Sequence, residues 1–445
     1  MHFSPETLTV LMFVALFIAL FLGHPLAFSL GAIAVLFGYL GWGGDWEALF
    51  YLFANKTWGI MTNYVLVAIP LFIFMAQMLN YSGVAERLYH SLHILMGPVR
   101  GGLALATIVV CTIFAASTGI IGASVVAMGL LAAPSMIQKG YKPDLTAGVI
   151  CAGGTLGILI PPSIMLVVYG GLVGLSVGKL FVGAIFPGLI LSGLYMIYVA
   201  VLCWFKPQWG PPLPKEERDK YSAAEKWKMG AFSLFPPIAL IFVVLGSIMA
   251  GIATPTEAAG MGALGSMLLA LAYRNLNYKT LKEASLATLK TTCMVMVLFI
   301  GGNCFSSVFM GIGGGRVVSE FLLSLSGNRW VVFAIMMAVI FFLGMFVDWL
   351  GILLICIPVF TPIASQLGFD PLWFALMVCV NLQMSFLTPP FGYALFYLRG
   401  VAPEGMTMNH IYRGIVPFVI LQMIGLTICA LFPSVITWLP SVALR

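Results

Sequence analysis

The chain has 445 residues, of which 61% are hydrophobic and 8% charged, with a mean hydropathy of +1.06. A soluble domain carries about 25% charged residues, so these values exclude one and define an integral, polytopic membrane protein. The net charge of +6 comes from 21 basic and 15 acidic residues, mostly in short loops, where it reports orientation and not nucleic-acid binding.

Residues 1–22 lack a basic leader and an A-x-A cleavage site and so read as a first membrane helix. Apolar runs at about 8–22 and 26–41 meet at Gly23-His24-Pro25, a tight connection between two spans. Asp45 to Thr57 is aromatic and mixed, which suits a helix lying at the lipid interface. A third span runs about 60–80. Residues 82–98, with Glu86, Arg87, His90 and His93, are again amphipathic. The two histidines share a helix face, but no carboxylate or cysteine completes a metal set, so they read as interface anchors. The eight cysteines are scattered through apolar segments without a C-x-x-C and read as small core residues.

Residues 103–137 hold two apolar arms of roughly 15 residues, each about 22 Å long as helix and too short for ~30 Å of hydrocarbon. Arg100 flanks one end, and Lys139 and Lys142 the other. Like charges at both ends predict a re-entrant hairpin that enters and leaves on the cytoplasmic face, with its tip at Ser117-Thr118-Gly119. Residues 145–176 then cross the membrane with a break at Gly157–Ser163, and 181–205 return. Lys206 to Lys228, with six basic and four acidic residues, is the longest polar segment and reads as a cytoplasmic linker. Spans at about 231–249 and 257–273 lead to a basic loop carrying Arg274, Lys279, Lys282 and Lys290. After a span at 291–310, Gly311-Ile312-Gly313-Gly314-Gly315 reads as a flexible turn; it follows no strand and lacks the last glycine of a dinucleotide fingerprint. A second hairpin is expected over 331–365, with its tip near Gly344–Trp349. A second broken crossing, 372–400, is interrupted at Ser385-Phe386-Leu387-Thr388-Pro389-Pro390. A last span runs about 411–432.

The halves are related by an offset of 228. Between 134 and 169 the offset gives ten identities in 36 positions, four of them prolines: Pro134, Pro143, Pro161 and Pro162 match Pro362, Pro371, Pro389 and Pro390. Five crossings separate matched positions, an odd number, so the repeats are expected to be inverted, with both chain termini outside. The expected fold is an all-α polytopic membrane protein of two inverted-topology repeats, each with a re-entrant hairpin and a broken transmembrane helix. The units are scaffold helices and interfacial arms at 1–102, the first transport repeat at 103–180, and scaffold helices at 181–330 enclosing the linker 206–228. The second transport repeat follows at 331–405, and a C-terminal helix at 406–445.

Proline has no N–H, so Pro161 cannot bond the carbonyl of Gly157, nor Pro162 that of Ile158. Hydrocarbon offers those carbonyls no water, so such a break persists only where it is buried or lines a wet cavity. One break thus supplies bare oxygens for a cation, and the following helix N-terminus a partial positive charge for an anion. Inverted repeats with broken helices are the architecture of secondary transporters. H-E-x-x-H and G-x-S-x-G are absent, and Gly174 to Lys179 is misspaced for a phosphate loop, so an enzyme reading is weak. A charge at membrane depth is costly unless paired or hydrated, which singles out Asp348 at the second tip for the ion or substrate pocket. Glu257 is divided between such a role and helix capping after Thr254-Pro255. No Lys or Arg lies in either break, so an anion would be held by helix N-termini and hydroxyls. Thr118, Ser124, Ser163 and Thr388 are the candidates, with Asp348 in the same pocket.

Gly157-Ile158-Leu159-Ile160-Pro161-Pro162-Ser163, Lys139-Gly140-Tyr141, Pro255-Thr256-Glu257-Ala258, Gly344-Met345-Phe346 and Thr388-Pro389-Pro390 together resemble one family over essentially the whole chain. It is the large membrane subunit of tripartite ATP-independent periplasmic (TRAP) transporters. The resemblance implies an elevator-type importer of small organic anions in a bacterial inner membrane, driven by sodium. It also implies two partners: a small four-helix membrane subunit and a soluble periplasmic binding protein that delivers substrate. With sodium as the coupling ion, two Na+ sites are expected, one per repeat. The first would use Ser117 and Gly119 at the hairpin tip with Gly157, Ile160 and Pro162 at the break. The second would use Met345 and Val347 with Ser385, Thr388 and Pro390. A channel would need a continuous polar stripe, which these segments lack. A stand-alone dicarboxylate carrier or sodium–proton antiporter shares the architecture and would work without a binding protein.

Overall fold

The computed structural model describes residues 4–119, 121–214, 216 and 220–444; the side chains of 115–118 and 223 lie outside that description. Among the described residues there are twenty α-helices and no strand. The first half runs α1 (Pro5–Phe21), α2 (Leu26–Gly41), α3 (Trp46–Met61), a 3-10 turn (Tyr64–Val67), α4 (Ala68–Tyr81) and α5 (Val84–Met96). A hairpin, α6 (Gly102–Thr118) and α7 (Ile121–Gln138), follows. Then come α8 (Pro143–Thr155), a 3-10 turn (Leu156–Ile158), α9 (Ile164–Val173) and α10 (Val177–Phe205). The second half runs α11 (Ala223–Met249), α12 (Pro255–Ala272), α13 (Tyr278–Gly311), α14 (Gly314–Leu325), and a hairpin of α15 (Arg329–Gly344) and α16 (Trp349–Gln366). It closes with α17 (Pro371–Ser385), α18 (Tyr393–Val401), α19 (Met408–Leu431) and α20 (Ser434–Ala443).

Helix starts follow local chemistry. Pro143, Pro255 and Pro371 occupy first-turn positions, where the missing N–H costs nothing. Asp370 accepts from the Trp373 N–H at 2.8 Å, and Asn277 from the Thr280 N–H at 2.9 Å, each satisfying an orphan donor. Glu257 and Thr254 form a capping box: the Thr254 N–H donates to Glu257 Oε2 at 2.7 Å and the Glu257 N–H to Thr254 Oγ1 at 3.3 Å. Capping is therefore the role the structure gives Glu257.

The 228 offset holds in the helices themselves. α7 and α16 are both 18 residues long, with starts at 121 and 349 and ends at 138 and 366, each 228 apart. α8 and α17 start at 143 and 371, again 228 apart. Packing is reciprocal between the halves. α4 lies on α12 and α13 on α2; α5 on α11 and α14 on α1; α7 on α18 and α16 on α9; α8 on α19 and α17 on α10. Among the described helices, α3 and α20 have no counterpart.

The broken crossings start at opposite ends of α19. In α8, Gly148 and Asp144 meet the Gly414 backbone so closely that a Cβ on either glycine would collide with carbonyl oxygen. Small residues allow such backbone contact between membrane helices. In α17, Trp373 Nε1 donates to the Cys429 carbonyl at 3.0 Å. Positions 414 and 429 are 15 residues apart, about 22 Å along a helix.

The base of the first hairpin is bound to the linker. Tyr141 Oη accepts from the Leu103 N–H at 3.1 Å and joins the two arms. The Gly101 N–H donates to the Gly210 carbonyl at 2.8 Å and the Lys142 N–H to the Trp209 carbonyl at 3.1 Å. The Lys142 ammonium sits 3.7 Å above the Trp209 ring. Arg100, Lys139, Lys142 and Lys206 therefore share one face of the molecule.

Several boundaries differ from expectation. Lys279, Lys282 and Lys290 belong to the 34-residue helix α13, because Asn277 caps a helix ahead of them. Gly311 to Gly315 is a tight corner: Gly313 has φ +89°, and Gly314 already opens the amphipathic helix α14. The linker ends early, since Ser222 and Glu225 cap α11. α20 lies beyond the last expected span. The second arms α7 and α16 reach 18 residues and by length and composition could cross a membrane, as could five other helices among the described residues.

Candidate functional site

A cavity of about 710 Å³ lies where the two repeats meet. The first hairpin contributes Ile121 and Gly122, and the first broken crossing Ile164. The second hairpin contributes Phe346, Val347, Asp348, Trp349 and Leu350, and the second broken crossing Tyr393 and Tyr397. The α1–α2 corner, with His24 and Pro25 at its turn, Ile73 of α4 and residues of α13 between Thr291 and Leu298 complete the wall. The size suits a small organic ligand.

Both tips are fixed to the helix that follows a break. At the first, Gly119 (φ +59°) is buried, and a Cβ there would lie 3.1 Å from the backbone nitrogen of Ile164, the first residue of α9. At the second, Tyr393 Oη donates to the Phe346 carbonyl at 3.3 Å, and Ser385 fills the space beside Gly344. Asp348 is half-buried, caps α16 through the Leu350 N–H at 3.4 Å, and has no basic partner among the described residues.

The expected cation ligands fall around these two junctions. Gly157, Ile160 and Pro162 are buried in the first break, and the carbonyls of Gly157 and Ile160 accept no hydrogen bond among the described residues. Pro161-Pro162 and Pro389-Pro390 are both cis. In the second break, the Ser385 carbonyl already accepts from the Thr388 N–H at 3.1 Å, while Pro390 is exposed. Met345 and Val347 frame the second tip, Val347 on the cavity wall. The side chain of Ser117 lies outside the described residues.

The anion-binding set is scattered. Asp348 lines the cavity, but Ser124 and Ser163 are fully buried, and neither they nor Thr388 is part of its wall. Ser163 Oγ donates to the Ile158 carbonyl at 2.6 Å and Thr388 Oγ1 to the Met384 carbonyl at 2.8 Å, so both hydroxyls satisfy helix ends. The side chain of Thr118 is outside the described residues. Sequence reasoning missed His24, Tyr393 and Tyr397. Tyr397 carried a signal, as the match of Tyr169 under the offset; its ring lies over Gly122, where a Cβ would be 3.0 Å from the ring.

Two repeats of hairpin plus broken helix, sharing one cavity at their tips, make this a polytopic helical membrane protein of secondary-transporter architecture. The family model for the tripartite ATP-independent periplasmic transporter, DctM component, matches residues 13–435, and the chain belongs to that family. It is 33% identical to a C4-dicarboxylate TRAP transporter large permease protein of Vibrio cholerae, over 97% of each chain. It is 29% identical to the sialic acid TRAP transporter large permease protein of the same species, over 96% of each. An isethionate TRAP transporter permease of Oleidesulfovibrio alaskensis is 30% identical over 84% of this chain and 58% of that one. The crystal structure of the Alcanivorax borkumensis YdaH transporter matches with a TM-score of 0.63 at 14% identity, covering 96% and 98% of the two chains, a likeness of fold.

Proposed function

We propose that this chain is the large permease subunit of a secondary importer that carries a small organic anion across a bacterial inner membrane. A sodium gradient drives it, a soluble periplasmic binding protein delivers the substrate, and a small four-helix membrane subunit completes the complex. The reading rests on family membership together with a cavity whose wall is built from both hairpin tips. Related permeases are named for C4-dicarboxylate, sialic acid and isethionate, which share an anionic oxygen group and differ in the rest. The basic face formed by the first hairpin base and the linker is assigned to the cytoplasm by the positive-inside rule. The second hairpin base, around Arg329 and Phe369, then faces the periplasm.

Two sodium ions are assigned to the tip–break junctions, where the bare Gly157 and Ile160 carbonyls at the first and the tip carbonyls with Thr388 at the second offer hard oxygen donors. Gly119 with Gly157, Ile160 and Pro162 surrounds the first; Met345 and Val347 with Ser385, Thr388 and Pro390 surround the second. The transport cycle is of elevator type, with the hairpins and broken helices moving against the remaining helices. The test is uptake into proteoliposomes holding the chain and its small subunit, with succinate, sialic acid and isethionate as substrates. Uptake should require both an inward sodium gradient and the binding protein. Uptake without any binding protein would favour a stand-alone carrier, and uptake that follows a proton gradient alone would remove the sodium sites.

A further inference from the structure

Away from the tip cavity, two adjoining clefts of about 340 and 350 Å³ share Lys56, Leu172 and Asn303. They lie where α3 and α13 face the end of α9 and the second arm α16. Their polar residues are Asn55, Lys56, Asn63, Asn303, Ser306 and Ser307. Lys56 has no ion-pair partner among the described residues. The tip cavity is the chemical opposite: apolar and aromatic over most of its wall, with Asp348 as its carboxylate and no Lys or Arg.

The two spaces lie along successive stretches of one helix. α13 lines the tip cavity from Thr291 to Leu298 and the clefts from Phe299 to Met310. Between them α13 and α16 close on each other: a Cβ at Gly302 would lie 2.5 Å from Leu354, which itself lines a cleft. An anion therefore finds its counter-charge on one side of this contact and a carboxylate on the other.

We propose that the Lys56–Asn303 cleft is a second binding site for an oxyanion, a carboxylate or sulfonate group of the transported solute. The Lys56 ammonium supplies the counter-charge, and Asn55, Asn63, Asn303, Ser306 and Ser307 supply hydrogen-bond donors. The site holds the anion before the α13–α16 contact opens toward the tip cavity. Its place on the outer side rests on the orientation given under the proposed function; its affinity for an oxyanion does not.

The test uses a thiol introduced by Ser306→Cys in a Cys293→Ser background, since Cys293 is exposed and the other seven cysteines are buried. The purified chain in uncharged detergent, without sodium, is treated with 2-sulfonatoethyl and 2-trimethylammonioethyl methanethiosulfonate. Lys56→Gln should lower the anionic-to-cationic rate ratio about fivefold, the loss of one nearby charge in a partly wet cleft. Millimolar succinate or isethionate should slow labelling with Lys56 present and not with Lys56→Gln. Ser307→Cys gives the same reading if the first variant folds poorly. An unchanged ratio, or protection that appears only on adding phosphatidylglycerol, overturns the proposal, the latter by assigning the cleft to a lipid headgroup. In vesicles, Lys56→Gln should raise the half-saturating substrate concentration about tenfold with little change in maximal rate, a loss of roughly 1.4 kcal/mol in binding. Because labelling needs neither sodium nor a partner, failure of sodium-driven uptake would leave it intact, and the two readings fail separately.

Discussion

The two double-proline breaks share a motif and differ in surroundings. Residues 156–164 are buried throughout, whereas Pro389, Pro390 and Phe391 are exposed. Tyr169 is fully buried with its hydroxyl 3.4 Å from Thr361 Oγ1, while its counterpart Tyr397 is 42% exposed beside the cavity. The packing frame around the breaks is reciprocal, so the asymmetry is local to the breaks and the helices that follow them. One duplicated motif is thus held in two environments, one sealed and one open to the cavity and solvent, and the transport cycle proposed above would exchange them.

The frame can be broken first. Gly148 faces the Gly414 backbone, whereas position 376, 228 residues on, is a buried leucine facing Gly183. Gly148→Leu forces two backbones apart and should cost about 3 kcal/mol or more, read as loss of the monodisperse peak in size-exclusion chromatography. Leu376→Ile, a change of shape at constant volume, should stay below about 1.5 kcal/mol in the same assay. Opposite orientation is tested next by Gln138→Cys and Gln366→Cys in a cysteine-free chain. A membrane-impermeant maleimide should reach the two positions from opposite sides; labelling from one side would refute inversion.

Smaller effects sharpen the contrast between the breaks. Pro161→Ala restores an N–H that can claim the bare Gly157 carbonyl, and should raise the half-maximal sodium concentration about tenfold, or ~1.4 kcal/mol. Pro389→Ala should cost about threefold, because the Ser385 carbonyl already accepts from Thr388 and the segment is partly solvated. Thr388→Val removes a hydroxyl bonded to the Met384 carbonyl and should raise the sodium requirement about twofold. If Pro161→Ala and Pro389→Ala behaved alike in sodium titrations, the burial difference would have no bearing on ion binding.

Much of the frame was legible because proline and charge are positional signals. The matched prolines located both breaks, and the 228 offset reproduced the bounds of α7 and α16 to the residue. Helix ends beyond basic residues were not legible: Lys279, Lys282 and Lys290 look like a loop until Asn277 is recognised as a cap. The candidate site was legible in its residue types more than in their places. Asp348 stood out as a lone charge at membrane depth and lines the cavity, while the Ser163 and Thr388 hydroxyls bond carbonyls at helix ends. Their partners lie four or five residues away, and hydroxyl content alone does not separate capping from binding. His24 and the clefts around Lys56 depend on which distant segments meet, which no local pattern encodes.

α13 bears on how deep the protein sits. Its first 13 residues, 278–290, carry Lys279, Lys282, Glu283 and Lys290, and the following 21, from 291 to 311, carry no charge. Those 21 residues are about 31 Å long, close to the ~30 Å hydrocarbon thickness. Lysines at one end and the Gly313 corner at the other make the helix a ruler cut to the bilayer. α2 and α4 pack along it and so share its placement. In the proposed elevator cycle, this helix is the fixed scale against which the carried solute would move.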